Sequence, residues 1–439
     1  MKLLRWGVFT LLLASQLIGQ TRLEDVQSFT LDNGMKFLVV EDHSIPNANF
    51  YCTFKVGSRN EYPGITGISH FFEHMMFNGA KKYGFKQFDR VMEAAGGRNN
   101  AWTSQNLTSY TDWFPAEGIE KIFDLEADRI AHLAFVDKVV ESERGVVLSE
   151  RITGMENDHF GFLDEQVRGI AFLAHPYRWS VVGYESDIKN WKLEDLQRYW
   201  EIYYAPNNCV AVVVGDVKFK QVKKLAEQYF APIPGRKAPR PVHTVEPEQM
   251  GEKRVVVHRQ VRSPYLEILW HVPETRHPDY YALDLLDDIL GTGRSSRFYQ
   301  TLVEEKQLAV QFYTDLSDAF DPTVYGVNAV CSRNVAPEAL EAAVYEVIDE
   351  LIENGPTAKE LDKVKSRKLA SFYRQMETIN GRAGGLGRYE IMFGDYKKLY
   401  TAPEAYKNVT AADIQRVAKT YFTKKNRTVG ILMSEEEAE

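Results

Sequence analysis

The chain has 439 residues, a length that predicts two or three domains rather than one. With 44% hydrophobic and 26% charged residues, its composition is that of an ordinary globular protein and argues against a disordered chain or a fibrous repeat. The net charge of -8 comes from 61 acidic against 53 basic residues, and no long run of Lys and Arg is present to follow a phosphate backbone, so we do not expect nucleic acid as a partner.

Residues 1–20 have the pattern of an export signal. Lys2 and Arg5 precede an apolar stretch over residues 7–13, as in a signal peptide. The stretch is too short to span a bilayer, and no later segment approaches about 18 uninterrupted apolar residues, so we expect no membrane anchor. The prediction is an exported protein, periplasmic or secreted. A buried N-terminal helix is the alternative, because no A-x-A cleavage pattern follows, and a membrane-surface role would rest on this segment alone.

The three cysteines predict buried thiols rather than a disulfide framework. Cys52, Cys209 and Cys331 are odd in number and widely spaced along the chain. We therefore expect each of them in a hydrophobic core.

A proline-rich linker divides the chain. Residues 231–249, APIPGRKAPRPVHTVEPEQ, contain five prolines, which neither a helix nor a central strand tolerates. The linker separates an N-terminal domain over residues 22–230 from a C-terminal domain over residues 250–439, two regions of similar length.

The two halves end alike, which predicts a duplicated domain. Residues 195–215 align without gaps on residues 413–433, and each segment has the pattern of a helix that leads into an apolar strand. Each half also mixes alternating strands, such as MKFLVVED, with long amphipathic helices, such as the one that ends at Gly355-Pro356. The fold class is therefore α+β: two homologous domains, each a mixed β-sheet flanked by helices. Chance similarity over one helix and strand is the alternative.

The segment GITGISHFFEHMMFNGA carries the clearest chemical pattern. It predicts a short helix between Pro63-Gly64 and Asn78-Gly79. His70 and His74 lie four residues apart, so their imidazoles share one face of the helix and can bind one tetrahedral ion. Glu73 lies near the same face and can reach a water at the metal. This H-x-x-E-H order is the inverse of the H-E-x-x-H metalloprotease motif.

A catalytic zinc site usually takes three protein ligands, so a third is needed. The stretch VVESERGVVLSERITGMEN predicts a helix in which Glu143 and Glu150 lie two turns apart and can face the same partner helix. Glu150 is the candidate third ligand, and Glu143 is a candidate hydrogen-bond acceptor that orients Glu150 or a histidine. The alternative is that the histidines are ordinary helix residues and the glutamates are solvated charges.

Several motifs together resemble one family. HFFEHMMFNG, GGRNNAWTSQNLTSYTDWFP, ERGVVLSE, HPYRWSVVGYESDI and YYAPNNCVAVVVGDV are similar in order and spacing to the inverzincin family of pitrilysin, insulin-degrading enzyme and the mitochondrial processing peptidase, in particular its shorter bacterial members of two domains. The resemblance covers nearly the whole mature chain. It implies that Glu150, by its distance along the chain from His74, is the third zinc ligand and that Glu143 supports the site.

The expected activity is that of a zinc-dependent endopeptidase with one Zn²⁺ per chain. Glu73 is the expected general base for the attacking water. The stretch NNAWTSQNLTSYTDW alternates as an edge strand does, and main-chain groups around Asn100 and Ala101 can pair with an extended peptide. Recognition through the main chain favours unfolded or short peptides as substrates.

The second half departs from the family pattern. Single-chain members carry an Arg and, further along the same segment, a Tyr that hold the substrate carbonyl; here Val303 and Val310 stand at those positions, and the C-terminal domain has no metal motif. We expect a homologous partner subunit to supply the Arg and Tyr, or otherwise a homodimer. Alternatively Arg294, Arg297 or Tyr313 replaces the pair.

A second hypothesis is a non-catalytic peptide-binding or scaffold subunit of the same family. Such relatives typically lose their metal ligands, whereas this chain keeps both histidines, Glu73 and Glu150. Metal content separates the two hypotheses.

Overall fold

The computed structural model describes residues 23–435, so the predicted signal at residues 1–20 lies outside the described part of the chain. The first β-sheet has six strands in the order β1-β2-β6-β3-β5-β4. β2 and β6 are parallel, and the other neighbours are antiparallel. The strands are β1 Val26–Thr30, β2 Lys36–Glu41, β3 Asn47–Phe54, β4 Arg98–Thr103, β5 Thr108–Pro115 and β6 Cys209–Gly215.

The second sheet repeats this arrangement with five strands in the order β7-β11-β8-β10-β9. β7 and β11 are parallel, and the other pairs are antiparallel. The strands are β7 Lys253–His258, β8 Tyr265–Val272, β9 Ala309–Leu316, β10 Thr323–Cys331 and β11 Arg427–Met433.

Helices cover both sheets. The first half contains α1 Ile68–Met75, α2 Gln87–Ala94, α3 Ile119–His132, α4 Asp137–Arg151, α5 His159–Ala171, α6 Glu185–Asn190, α7 Leu193–Tyr203 and α8 Phe219–Tyr229. The second half contains α9 Tyr280–Leu290, α10 Pro337–Asn354, α11 Ala358–Glu377, α12 Ile379–Phe393, α13 Lys398–Asn408 and α14 Ala411–Tyr421. None of the helices within residues 23–435 is long and apolar enough to cross a membrane.

The structure confirms the duplication and the α+β class. The shift in residue number that aligns the two chain segments also carries β3 onto β8, α7 onto α14 and β6 onto β11, end to end. The same strand order and the same single parallel pair in both sheets show that the likeness extends well beyond the aligned helix and strand.

The two halves exchange one helix each. α5, from the first half, packs on the second sheet, where Leu163 and Val167 meet Leu269 and Leu432. α12, from the second half, packs on β6 and β3 of the first sheet. Each sheet therefore buries one face against a helix from the other half, which interlocks the two domains.

Three further predictions meet the structure. All three cysteines are buried, as expected. Residues 231–249, all of them described, contain no helix or strand. The stretch predicted to be one edge strand is instead the hairpin β4–β5, because the chain turns at residues 104–107, where the Ser104 hydroxyl accepts hydrogen bonds from the main-chain N–H groups of Asn106 and Leu107. Of the two strands of this hairpin, only β4 lies at an edge of the sheet.

Candidate active site

The helix that carries the H-x-x-E-H motif is fixed at its start. It begins after Gly67, whose φ of 85° favours glycine. A Cβ at Gly67 would lie 2.1 Å from the carbonyl oxygen of Val182, so no other residue fits. The apolar side chains of α1 are buried in the first core, namely Ile68, Phe71, Phe72 and Met75. The predicted helix is thereby confirmed, with its polar face turned away from the core.

Two carboxylates hold the loop before α1. Glu61 accepts hydrogen bonds from the main-chain N–H groups of Gly67 and Ser69, each at 2.8 Å. Burial raises the pKa of Glu61 to about 8, although the two N–H donors act in the opposite direction. Asp187 accepts from the N–H of Thr66 at 3.1 Å and from its hydroxyl at 2.7 Å. The sequence did not indicate either residue: Asp187 lies far from the motif along the chain, and Glu61, although close to it, belongs to no recognised pattern.

The structure brings His70, His74 and Glu150 together. The Nε2 atoms of the two histidines are 3.4 Å apart. Glu150 Oε2 lies 3.5 Å from Nε2 of His70 and 3.4 Å from Nε2 of His74. Ligand atoms about 2.0–2.1 Å from a tetrahedral Zn²⁺ are about 3.3–3.4 Å apart. The three atoms therefore have the spacing of three corners of a zinc tetrahedron, and the donor set fits that metal.

Glu143 orients one of the histidines. Its Oε1 lies 2.7 Å from Nδ1 of His74, and its Oε2 accepts a hydrogen bond from Nδ2 of Asn78 at 2.8 Å. The hydrogen bond with His74 lowers the pKa of Glu143. A carboxylate that accepts a hydrogen bond from Nδ1–H keeps the proton on Nδ1 and leaves the lone pair of Nε2 directed at Glu150 and His70, the arrangement that metal-binding histidines use.

The two imidazoles differ in environment. Burial lowers the pKa of His70 to about 4, so this ring is neutral at physiological pH. Burial acts in the same direction on His74, but the hydrogen bond to Glu143 and the carboxylates of Glu150, Glu143 and Glu73 outweigh it, and the pKa of His74 is raised. The site thus gathers negative charge around two ring nitrogens, as a cation site does.

Glu73 faces the edge strand. Burial raises the pKa of its carboxyl, and the nearby carboxylate of Glu150 raises it further. A hydrogen bond with the Thr103 side chain and the charge of His74 act in the opposite direction but are weaker. Thr103 is the last residue of β4. A carboxylate with a raised pKa between the metal-ligand candidates and an open strand is placed to exchange protons there.

Two buried arginines fix α4. Arg151 forms paired hydrogen bonds with both carboxylate oxygens of Glu165, each at 3.0 Å, and also binds the carbonyl of Gly183. Arg144 donates to the carbonyl of Trp191 at 2.9 Å. Both lie next to a predicted site glutamate, so they determine where the other face of α4 points.

The predicted peptide-binding residues lie on an open sheet edge. Asn100 pairs with Thr111 and Ala101 with Tyr110, both on β5. β4 is the last strand in the sheet order, so within the described residues its outer edge has no strand beside it. α1 packs against β4, which places this edge next to the metal-ligand candidates.

The predicted substitutes for the Arg and Tyr have different surroundings. Arg297 is committed to Glu360, at 2.8 and 3.0 Å, and to Glu350 and the carbonyl of Gly355. The Tyr313 ring packs on Phe160, with centroids 5.1 Å apart, and is 41% exposed.

Neither valine at the expected positions of the second half supplies a side-chain donor. Val303 packs against the second core, and Val310 is 64% exposed on β9. Arg294 is exposed. Nothing in these surroundings singles out Arg294 as a replacement for the missing Arg.

Solved structures define the class of protein. A protease from Helicobacter pylori superimposes with a TM-score of 0.90 at 31% sequence identity, over 93% of this chain and 99% of that one. A peptidase M16 inactive domain from Pseudomonas fluorescens superimposes with a TM-score of 0.85 at 18% identity, over 93% and 98% of the two chains, which supports the fold alone. The fold is that of two-domain M16 proteins.

Sequence comparison then gives the family. Residues 36–182 match the model described as insulinase (peptidase family M16), and residues 190–368 match the peptidase M16 inactive domain. The zinc protease PqqE of Helicobacter pylori is 31% identical over 95% of this chain and 94% of its own length. An uncharacterised zinc protease of Bacillus subtilis, YmxG, is 25% identical over 91% and 96% of the two chains. The chain belongs to peptidase family M16, the pitrilysin-like peptidases.

Proposed function

We propose that this chain is a zinc-dependent endopeptidase that hydrolyses unfolded or short peptides. The observation that carries the proposal is the convergence of His70, His74 and Glu150, whose donor atoms lie 3.4–3.5 Å apart with Glu73 beside them on α1. Relatives named as zinc proteases support it.

Each residue has a separate task. His70, His74 and Glu150 hold one Zn²⁺, which supplies Lewis acidity that polarises the substrate carbonyl and acidifies water. Glu143 keeps the Nδ1 proton of His74 in place. Glu73 accepts the proton of the attacking water at its carboxylate and later donates it to the leaving amine; burial raises the pKa of Glu73, which makes the carboxylate a stronger base.

The substrate lies along β4 as an additional strand. The main-chain groups of Asn100 and Ala101 pair with an extended peptide, since the outer edge of β4 has no strand beside it among residues 23–435. Such pairing requires a substrate segment that is not already folded.

A homologous subunit completes the site in our proposal. Val303 and Val310 carry no side-chain donor, and Arg297 is occupied by Glu360 and Glu350. A homologous partner that carries the Arg and Tyr stabilises the substrate carbonyl, and a homodimer is the alternative assembly. Efficient peptide cleavage by the purified chain alone, as a monomer, would contradict this part.

The place of action follows from residues 1–20. We propose export to the periplasm or beyond, with removal of the signal. Mass spectrometry of the mature protein checks this: retention of Met1 to Gln20 on the exported protein would contradict cleavage.

Metal content and cleavage together test the main proposal. The purified chain should bind one zinc and cut unstructured peptides, with a chelator stopping cleavage and added zinc restoring it. A chain that binds no zinc would favour the scaffold hypothesis. One that binds zinc but cuts nothing, even with its homologous subunit present, would contradict the peptidase.

A further inference from the structure

A cavity of about 330 Å³ lies on the face of the first sheet away from α1. Its apolar walls come from four places: Trp102 on β4, Tyr51 on β3, Leu107 in the β4–β5 turn and Met392 on α12. Gly384 and Arg388 of α12 also line the cavity, as do six polar residues, namely Thr53, Ser104, Asn106, Ser109, Ser317 and Asp318. We call this cavity the Trp102 pocket. Its volume is sufficient for one large side chain.

Strand alternation places the pocket beside the proposed substrate. Ala101 packs against the first core, on the α1 side of the sheet, and Thr103 hydrogen-bonds with Glu73 on that side. Trp102, between them, points to the opposite face and is 45% exposed. A peptide strand added to β4 alternates in the same way, so side chains next to those facing α1 point toward Trp102.

The polar groups around the pocket already have partners. Arg388 donates to both carboxylate oxygens of Asp318 and, at 3.0 Å, to the hydroxyl of Tyr280. The Tyr51 hydroxyl donates to Oδ1 of Asn380 at 2.9 Å.

The smaller polar side chains of the wall are also satisfied. The hydroxyl of Thr53 pairs with that of Ser109 at 2.8 Å, and Nδ2 of Asn106 donates to the carbonyl of Asp318 at 2.8 Å. Since these groups already have partners, a polar side chain entering the pocket would replace few of the hydrogen bonds it loses with water, whereas an apolar one gains burial.

We propose that the Trp102 pocket binds one apolar side chain, aromatic or long aliphatic, of the peptide that lies along β4. The inference rests on the proposed peptidase function, since that function places the peptide on β4. The pocket then determines sequence preference from the face of the sheet opposite to the metal, and both domains contribute to it through β4 and α12.

Equilibrium binding tests the pocket separately from catalysis. Fluorescein-labelled decapeptides that differ only by Phe or Ala at one central position are titrated against the zinc-loaded full chain carrying Glu73→Gln, with anisotropy as the readout. The position is scanned along the peptide. At one position the Phe peptide should bind at least tenfold more tightly than the Ala peptide, because a buried aromatic side chain is stabilised by its apolar area.

Variants of the wall show whether this preference comes from the pocket. The preference is the ratio of the two dissociation constants, that of the Ala peptide divided by that of the Phe peptide. Trp102→Ala should reduce this ratio to within about twofold of one, since the exposed wall is removed. Gly384→Ala should reduce it in part, because the new Cβ would lie 3.4 Å from the Tyr51 hydroxyl. Gly385→Ala is the matched control on the same helix; its Cβ would meet Leu399 and Gln375 instead, so the ratio should not change.

The outcomes separate the two proposals. Equal binding of Phe and Ala peptides at every position, or a ratio that Trp102→Ala leaves unchanged, overturns the pocket. In another outcome, peptides bind with the expected preference and yet remain uncut by the wild-type chain with its homologous subunit. That result would support the pocket and contradict the peptidase.

Discussion

The metal-ligand candidates of the first domain have a counterpart at the equivalent positions of the second. The shift in residue number that carries β3 onto β8 and α7 onto α14 also carries His70 onto Asp288 and Glu150 onto Lys368. Lys368 Nζ lies 3.5 Å from Asp288 Oδ2, much as His70 and Glu150 lie 3.5 Å apart. Both domains bring side chains of two helices together at this place. In the second domain one of these side chains is a lysine ammonium, whereas in the first domain all of them are candidate ligands for a cation.

The counterpart is an ion-pair network. Lys368 also binds Asp284 at 2.9 Å, and Arg367 binds Asp288 at 2.7 Å. Asp288 is 6% exposed, so its charge requires a partner. In the second domain the side chains supply their own cation, whereas the site that we propose in the first domain would take its cation from solution. The difference accounts for a domain that keeps the fold without the metal site.

Removal of one histidine should break the first site most completely. In His74→Ala the metal loses a ligand and Glu143 loses its partner, so we expect no stoichiometric zinc and peptide cleavage at background. Zinc analysis and a fluorogenic peptide assay measure both. His132→Ala, an exposed histidine on α3, is the control. Full zinc content in His74→Ala would contradict the assignment.

Replacement of the general base should separate binding from chemistry. Glu73→Gln keeps the shape of the side chain but cannot accept a proton, so kcat should fall by about 10²–10⁴-fold while zinc content stays at one per chain. Steady-state kinetics beside zinc analysis provide the measurement. Glu93→Gln, exposed on α2, should behave as wild type. A kcat within about threefold of wild type would remove Glu73 from the mechanism.

Loss of the carboxylate that orients His74 should weaken the metal without eliminating it. For Glu143→Gln we expect zinc affinity to fall by about 10–100-fold, because the amide does not hold the Nδ1 proton as a carboxylate does. Competition with a chromogenic chelator measures the affinity. Glu141→Gln, on the same helix and 64% exposed, should leave the affinity unchanged. Equal affinities for both variants would contradict the role of Glu143.

The smallest effect is expected in the second domain. Lys368→Met should lower the free energy of unfolding by about 2–3 kcal/mol, less than for a fully buried pair, because Lys368 is 23% exposed and Arg367 remains beside Asp288. Zinc content should not change. Urea denaturation measures the loss. The control is Lys365→Met on the same helix, which removes an exposed hydrogen bond to a carbonyl and should lower the free energy of unfolding by at most about 0.5 kcal/mol. A loss of zinc in Lys368→Met would mean that the two sites are not independent.

Much of the fold was predictable because it depends on local pattern. The gap-free alignment of residues 195–215 on residues 413–433 indicates the duplication from the sequence alone. The exchange of α5 and α12 was not predictable, since an amphipathic pattern specifies a buried face but not the sheet it covers. The turn of the β4–β5 hairpin was missed because it contains no Gly or Pro, the usual turn signals.

The candidate site likewise has residues that the sequence predicts and residues that it does not. His70, Glu73 and His74 follow from helical spacing alone, because one helix fixes their mutual positions. Glu150 was a candidate from its two-turn spacing with Glu143, and the family resemblance added the support that spacing cannot give, since spacing does not say which two helices meet. Glu61 and Arg151 act through contacts with residues distant along the chain or hidden in the core, and no sequence motif indicated them.

Diffraction data collected at the zinc absorption edge from crystals of the zinc-loaded chain test the central claim most directly. We predict one anomalous peak per chain, about 2.0–2.2 Å from Nε2 of His70, Nε2 of His74 and one carboxylate oxygen of Glu150. A peak elsewhere, or a site in which Glu150 is not a ligand, would contradict the account.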